Sequence, residues 1–226
     1  MTILFLTGAG ISANAGIATY RDGGSTWTDS DLEKKSHASR YGNHLDELWN
    51  KHWGPLSIAM REAEPTYTHK AIAEFQKSHD AIIATQNIDD LHERAGSENI
   101  HHLHGVMRAR CMKCKGTNVH KFWAGKGSPA CKDCLVSKTR PDVVLFGEML
   151  DMGAFKAINA WSVQSASYVV AIGTSLNVYP AAALVLDNVR KSIIVNKERT
   201  GFSKMALKSY EADCDEVIDE VLELLS

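Results

Sequence analysis

Apolar positions along the chain gather into short unbroken runs, separated by segments with helical spacing. "TILFLT" (2–7), "DAIIAT" (80–85), "SYVVAIGT" (167–174) and "SIIVN" (192–196) are such runs, each ending where Thr, Gly or Asn marks a loop. Runs of this length predict strands buried on both faces. Between and after them, "THKAIAEFQKS" (68–78), "GAFKAINAWSVQSA" (153–166), "YPAAALVLDNVRK" (179–191) and "DEVIDEVLELL" (215–225) carry helical patterns. The alternation predicts an α/β fold: a Rossmann-like parallel sheet with helices on both faces, whose ligands bind at the carboxyl ends of the strands.

Two segments interrupt the alternation. Residues 28–66 are polar and rich in His, Trp and charge, and residues 107–140 hold four cysteines with little apolar periodicity. Both are read as one smaller domain inserted into the sheet. The sheet domain then comprises 1–27, 67–106 and 141–226; the small domain combines a helical module (28–66) with a metal-binding module (107–140).

Composition changes this picture little. A chain of 226 residues is long enough for both parts. With 25 basic and 27 acidic side chains the net charge is -2, so neither nucleic acid nor an anionic membrane is an expected partner. "YVVAIG" and "AAALVL" are far too short to cross a bilayer, and "MTILFLTGAG" lacks the cationic start of an export signal. The expectation is a monomer in a reducing cytoplasm.

The cysteines sharpen it. Cys111-Met-Lys-Cys114 and Cys131-Lys-Asp-Cys134 are two Cys-x2-Cys knuckles with 16 residues between them, the spacing of a four-thiolate zinc site. A segment so poor in apolar residues needs the metal for its folding free energy. Four sulfurs leave no open coordination position, so the zinc is structural. The lone Cys214 is read as reduced and unreactive.

Polar groups sit where strands end. Gly8-Ala-Gly10 follows the first strand and would let the backbone approach a diphosphate, with the next helix start aiming amides at the anion; a tight turn without ligand is the plain alternative. Gln86, Asn87 and Asp89 follow the second strand and suit a carboxamide or ribose hydroxyls, although Asp89 or Asp90 also suits a helix N-cap. Gly173-Thr174-Ser175 and Asn196 end two further strands, so four polar strand ends can converge on one nucleotide. The histidines of "NIHHLHG" are not needed by a zinc already holding four thiolates. In an extended segment His102 and His104 share one face and His101 and Leu103 the other, which leaves 102 and 104 unseparated. Gly105 removes a side chain beside His104 and would leave room for a ribose.

"GAGISANAGIATYRDGGSTW", "TQNIDDLHERAG", "HLHG", the two knuckles, "RPDVVLFGE" and "GTSLNVYPAA" follow one another in the order seen in sirtuins, the NAD-dependent protein deacylases. The resemblance runs from about Leu6 to Asn196 and on into the C-terminal segment. It implies an enzyme that moves an acyl group from a lysine of a protein or peptide substrate to the ADP-ribose of NAD, releasing nicotinamide and O-acyl-ADP-ribose. Nicotinamide leaves as the acyl-lysine carbonyl attacks the ribose, and His104, the implied general base, then deprotonates a ribose hydroxyl; Asn87 is the second implied catalytic residue. A side chain with an unperturbed pKa near 6.5 suits that step. By the same resemblance Gly8, Ala9, Gly10 and Ser12 hold the diphosphate, and Tyr20-Arg21 belong to the flexible cofactor loop. Gln86, Asn87, Ile88 and Asp89 surround the nicotinamide and its ribose, Gly173, Thr174, Ser175 and Asn196 contact the adenosine half, and Cys214 approaches the adenine through its backbone. "VVLFGE" (143–148) and "SLNVYP" (175–180) clasp the peptide as an added strand, through Val144, Phe146, Gly147, Glu148, Asn177 and Val178. Val144 and Phe146, with Ile88, line a tunnel for the lysine stem, and His101 and His102 go to packing or surface.

Departures from the pattern narrow the expectation. Tyr20 stands where Phe is usual, and "SANAG" replaces a more usual acidic residue and serine. Sirtuins that prefer succinyl or malonyl groups carry a Tyr-x-x-Arg pair, and residues 28–66 contain none: Trp49-Asn-Lys-His52 and Tyr41-Gly-Asn-His44 offer no guanidinium fork. Neutral acyl groups, acetyl first, are expected, with Arg40 and Arg61 as the arginines to locate. The chain reads as a bare catalytic core of bacterial or phage type. Two other readings compete. The pocket would hydrolyse NAD or transfer ADP-ribose if water or another acceptor replaced the acyl-lysine. Alternatively, Arg108, Arg110, Lys113, Lys115, Lys121, Lys126 and Lys132 would make a zinc-ribbon binding module, which salt-sensitive DNA binding would reveal.

Overall fold

The computed structural model of the chain describes residues 1–17, 30–117, 122–135 and 138–226. Its elements in the first half are β1 (Thr2–Thr7), α1 (Gly10–Ala13), α2 (Ser30–Ser36), α3 (Leu45–Leu48), α4 (Gly54–Glu62), α5 (Tyr67–Gln76), β2 (Asp80–Thr85), α6 (Leu91–Ala95), β3 (Ile100–His102) and β4 (Gly105–Cys111). They continue with β5 (Thr139–Val143), α7 (Met152–Gln164), β6 (Tyr168–Ile172), α8 (Ala183–Leu186), β7 (Ser192–Val195), β8 (Lys208–Tyr210) and α9 (Cys214–Glu223). They divide into two units: Met1–Ala15, Glu64–Leu103 and Asp151–Ser226 form the first, Gly16–Ala63 and His104–Leu150 the second.

The first unit is built on a parallel sheet of order β3-β2-β1-β6-β7-β8. Numbered within the sheet this is the 3-2-1-4-5-6 order of doubly wound nucleotide-binding folds. β1 lies at the middle, Leu6 facing Ala84 on one side and Ala171 on the other. A central strand must be apolar on both faces, and Ile3, Leu4, Phe5 and Leu6 are all fully buried. Ile3, Phe5, Ile83, Val170, Ile172 and Val195 pack with Ile72 and Phe75 of α5 and Ile218 and Val221 of α9. Local caps start these helices: the His69 amide donates to Thr66 Oγ1 (3.4 Å), and Asp151 accepts the amides of Gly153 and Ala154 (both 3.0 Å).

The edge strands β3 and β8 hold only three residues each, "IHH" and "KSY", too short and polar to register as apolar runs. The single helix expected over 179–191 is instead the four-residue α8 followed by a 3-10 turn at Val189–Lys191. Asn188 is the cause. Its side-chain amide takes the Leu184 carbonyl (2.8 Å), the acceptor an α-helix would reserve for its backbone N–H, which turns to Val185 O (3.0 Å).

In the second unit β4 and β5 pair antiparallel, with an irregularity between Val106 and Ala109. A five-residue π turn, Trp49–Trp53, joins α3 to α4. It buries both tryptophans edge to face (5.6 Å), and the Trp49 indole N–H donates to Thr139 O (2.8 Å), fastening the helices to the ribbon. Residues 104–106 and 141–150, expected with the sheet, belong to this unit because β4 and β5 pair with each other and not with the parallel strands. Residues 64–66, expected with the helical module, go with the sheet: Thr66 caps α5 and its hydroxyl donates to Ile11 O (3.1 Å). Among the described residues no helix is long and apolar enough to cross a membrane.

Candidate functional site

β1 and β6 are neighbours whose connections depart in opposite directions, to β2 and to β7, so the sheet's topological switch point lies between their carboxyl ends. Here the Gly8 loop meets the Gly173 loop. A methyl group on Gly8 would stand 2.7 Å from Thr174 Cβ, one on Gly10 2.6 Å from Gly173 Cα, and one on Gly173 2.4 Å from the Ile11 nitrogen. The three glycines let two backbones touch. The amides of Gly8, Gly10, Ile11 and Ser12 donate to the carbonyls of Ile172, Gly173, Gly8 and Ala9. α1 has four residues, and its leading amides are engaged within the two loops. Gly173 also has φ +63. Gly173→Ala should cost at least ~2 kcal/mol, from left-handed strain and overpacking together. The thermal midpoint should fall by about 4–8 °C, and a midpoint at the wild-type value would contradict this account of the loops.

Around that contact runs a chain of polar side chains. The Asn87 amide donates to Gly8 O and Ser12 Oγ (both 3.1 Å), and the Ser12 hydroxyl donates to Asp89 (3.0 Å). Asp89 also accepts the Leu91 amide (3.1 Å), while Asp90 makes no side-chain cap bond, so Asp89 is the residue that steadies α6. Burial pushes the Asp89 carboxyl above its usual range, against the bonds from Leu91 and Ser12. Gln86 Nε2 donates to Thr174 Oγ1 (3.0 Å), tying the second strand's loop to the sixth's. Ile88 and Ser175 are half-buried, and Asn196, at the end of β7, donates to Glu198 O (2.7 Å). Cys214 opens α9 with its sulfur 3.9 Å from Gly10 O, and burial pushes its thiol up to about 11, which keeps it protonated. Asn14 donates to Asp213 and Asp215 (both 2.9 Å), fastening the glycine loop to α9. Hydroxyls, amides and one carboxylate thus gather at the carboxyl edge of a single sheet, a donor set suited to the ribose and amide groups of a dinucleotide. Asn177 and Val178 are exposed in the same unit, and Tyr20 and Arg21 lie outside the described residues.

The three histidines part company. His101 is exposed on the edge strand. His102 donates through Nδ1 to Asn87 O (3.1 Å) and meets the Glu93 carboxylate through Nε2 (2.7 Å). Burial alone would lower its pKa, but Glu93 outweighs that and holds it above the usual value. His102 is thus a brace for the Asn87 loop. His104 is half-buried and begins the second unit; its carbonyl accepts from Val144 N (2.8 Å), carrying the β4–β5 ribbon one step past Gly105. Gly105 has φ +78, and a methyl there would lie 2.3 Å from Asp142 O. The space beside His104 that the missing side chain would leave is thus filled by the partner strand.

Beyond β5, Val144 is half-buried and Phe146 and Gly147 are exposed. Gly147 has φ +84 and lies against the His37 ring, while the Ala38 amide donates to Phe146 O (2.8 Å). Glu148, expected to face a substrate, has both oxygens occupied: Arg140 grips the carboxylate in a fork (Nη2 to Oε2, 2.8 Å; Nη1 to Oε1) and the Leu145 amide donates to Oε2 (2.9 Å). The guanidinium holds that carboxyl below its usual range. Arg140 was not singled out in the sequence; its signal was an opposite charge eight residues before Glu148, across a loop. Of the arginines to locate, Arg40 is exposed and Arg61 pairs with its neighbour Glu62, while Trp49 and His52 are buried.

The four cysteine sulfurs lie within 4.8 Å of one another, with Cys111–Cys134 at 3.5 Å and Cys114–Cys131 at 3.6 Å. Zn–S bonds of ~2.3 Å in a tetrahedron require S···S edges of about 3.8 Å. Both knuckles have one geometry. Lys115 N donates to Cys111 O (3.1 Å) and Leu135 N to Cys131 O (2.9 Å), and Lys115 and Leu135 are both left-handed, at φ +62 and +56. The Cys114 amide leads the influences that hold the Cys111 thiol below its usual range, while the neighbouring sulfurs push the Cys114 thiol up. The donor set fits one tetrahedral zinc with no free position.

The likeness to known proteins covers the whole chain. The sequence pattern of the Sir2 family matches residues 8–180. An NAD-dependent protein deacylase of Thermococcus sibiricus is 33% identical over 233 residues, 97% of this chain and 90% of its own length. A Sir2 homologue solved with NAD superposes with a TM-score of 0.87 at 32% identity, covering 99% of this chain and 89% of the other. A Sir2–p53 peptide–NAD+ complex gives 0.79 at 33% identity, covering 99% and 92%. The glycine contact, the polar strand ends, the histidine after β3 and the paired knuckles all fall within that shared length, and the chain belongs to the Sir2 family.

Proposed function

We propose that this protein is an NAD-dependent protein-lysine deacylase, a deacetylase first. The reading is carried by the Asn87–Ser12–Asp89 chain, set beside the glycine contact at the switch point of the doubly wound sheet. NAD bound there supplies an anomeric carbon that gives up nicotinamide and a ribose hydroxyl that receives the acyl group. Gly8, Ala9, Gly10 and Ser12 would hold its diphosphate, with Tyr20 and Arg21 as further cofactor contacts. Gln86, Asn87, Ile88 and Asp89 would surround the nicotinamide ribose, and Gly173, Thr174, Ser175, Asn196 and the Cys214 backbone the adenosine half. The His104 imidazole takes the proton from the ribose hydroxyl. Val144, Phe146, Gly147, Asn177 and Val178 would clasp the acyl-lysine peptide by its backbone.

The first unit is the NAD-binding domain in this reading, and the second is held by a structural zinc on Cys111, Cys114, Cys131 and Cys134. Neutral acyl groups are preferred because residues 28–66 bring no Tyr-x-x-Arg fork. Arg108 and Arg110 both pair with Asp142 (3.0 and 3.3 Å), which favours a deacylase over a nucleic-acid module. Four thiols set as metal ligands favour a reducing cytoplasm, where the protein would act as a monomer.

The test is incubation with NAD and acetyl-, succinyl- and longer acyl-lysine peptides, read by mass spectrometry. Acetyl-lysine should be consumed with one nicotinamide and one O-acetyl-ADP-ribose per turnover, and succinyl-lysine more slowly. Free ADP-ribose released without any acylated peptide would replace the deacylase with an NAD hydrolase.

A further inference from the structure

The segment proposed to receive the peptide must itself be held. After Val143 the chain leaves β5 and turns at Gly147. Arg140 reaches forward from β5 across this turn. Its guanidinium donates to Val143 O and to both oxygens of Glu148, Nε donates to Pro141 O (3.1 Å), and its face lies 4.9 Å from the centre of the Tyr41 ring. Glu148 completes the closure: Oε2 accepts from Leu145 N, and its own amide donates to Leu145 O (both 2.9 Å). Val144, inside the closed loop, is the residue whose N–H holds the His104 carbonyl. One side-chain pair therefore sets the backbone that a peptide strand would join and the anchor of the proposed base.

We propose that Arg140 and Glu148 are positioning residues, a latch that holds residues 143–148 in the conformation that accepts the acyl-lysine peptide; this rests on the deacylase reading above. The fork is what makes the pair specific. A planar guanidinium meets a carboxylate through two parallel bonds, which a lysine ammonium does not reproduce. Both partners are half-buried, so removing either leaves the other poorly compensated. A direct role for Glu148 in reading a cationic substrate is disfavoured because both its oxygens are already engaged.

The test is steady-state kinetics on an acetyl-lysine peptide with Arg140→Lys, Glu148→Gln and the double variant, each checked for zinc content and thermal midpoint. Each single variant should raise the peptide KM about tenfold, the loss of one charge-assisted contact. The KM for NAD should stay at the wild-type value and kcat should change less than the peptide KM. The double variant should be no worse than the weaker single, because the two side chains act as one unit. An unmoved peptide KM, an equal rise in the NAD KM, or additive single effects would each overturn the latch. A KM shift in Glu148→Gln that follows the charge of the peptide would also overturn it, by placing Glu148 on the substrate. A wild-type protein that turns over no acyl peptide overturns the deacylase reading itself and the latch with it.

Discussion

His104→Ala should lower kcat/KM for acetyl-lysine peptide by about 10²–10⁴-fold, the range that one general base contributes. The protein should stay folded. The His104 backbone carbonyl is bonded to Val144 N, and alanine keeps that bond. The side chain is half-buried, so truncation opens no sealed cavity. The loss should also be selective within the reaction. In the proposed reaction nicotinamide departs before the base takes its proton, so exchange of labelled nicotinamide into NAD should continue in the presence of acyl peptide while product formation collapses. Turnover by His104→Ala at the wild-type rate would remove the assigned base. Loss of exchange and turnover together, with a lowered midpoint, would mean a structural role instead. His102 is the contrasting residue, since its two ring nitrogens hold Asn87 O and Glu93.

Removing the zinc should have an even larger effect on the second unit. Structural zinc sites in small peptides bind with apparent free energies of about 10–16 kcal/mol, and a whole domain is stable by only about 5–15. Beside the buried Cys111 and Cys131 the sequence carries Lys113, Lys115, Lys132 and Asp133, charged residues that do not compensate by burial. Chelation or Cys111→Ser should therefore melt the β4–β5 ribbon and abolish turnover, because His104, Val144 and the Arg140–Glu148 pair all depend on that ribbon. The parallel sheet of the first unit has its own core and should remain, so calorimetry should show a separate surviving transition. Metal analysis should find one zinc per chain, and adding zinc back under reducing conditions should restore both ribbon and activity. A metal-free protein that melts and turns over like wild type would refute the structural zinc.

Much of this molecule can be read locally. The four central strands are long apolar runs because a strand between two others must be buried on both faces, and Ile3 to Leu6 or Val169 to Ile172 satisfy that by composition alone. The zinc site is legible because ligand spacing is itself local: each Cys-x2-Cys knuckle is one turn of chain, whatever lies around it. Other features depend on partners far away in sequence. "IHH" and "KSY" become strands only because β2 and β7 offer them an unpaired edge. Gly8, Gly10 and Gly173 are indispensable to one another although they lie far apart in the chain, and the local pattern of the glycine loop does not show that Gly173 lies against it. Glu148 carries the charge expected of a substrate contact, but Arg140 claims it across a turn. His102 and His104 share one face of an extended segment and are equivalent by spacing. The sequence by itself determined the fold class, the metal and the list of candidate groups, because those follow from composition and short-range geometry. Only the tertiary structure decided which groups are spent on holding the protein together and which remain for chemistry, because a hydrogen-bond partner supplied from a distant strand leaves no mark on the local pattern.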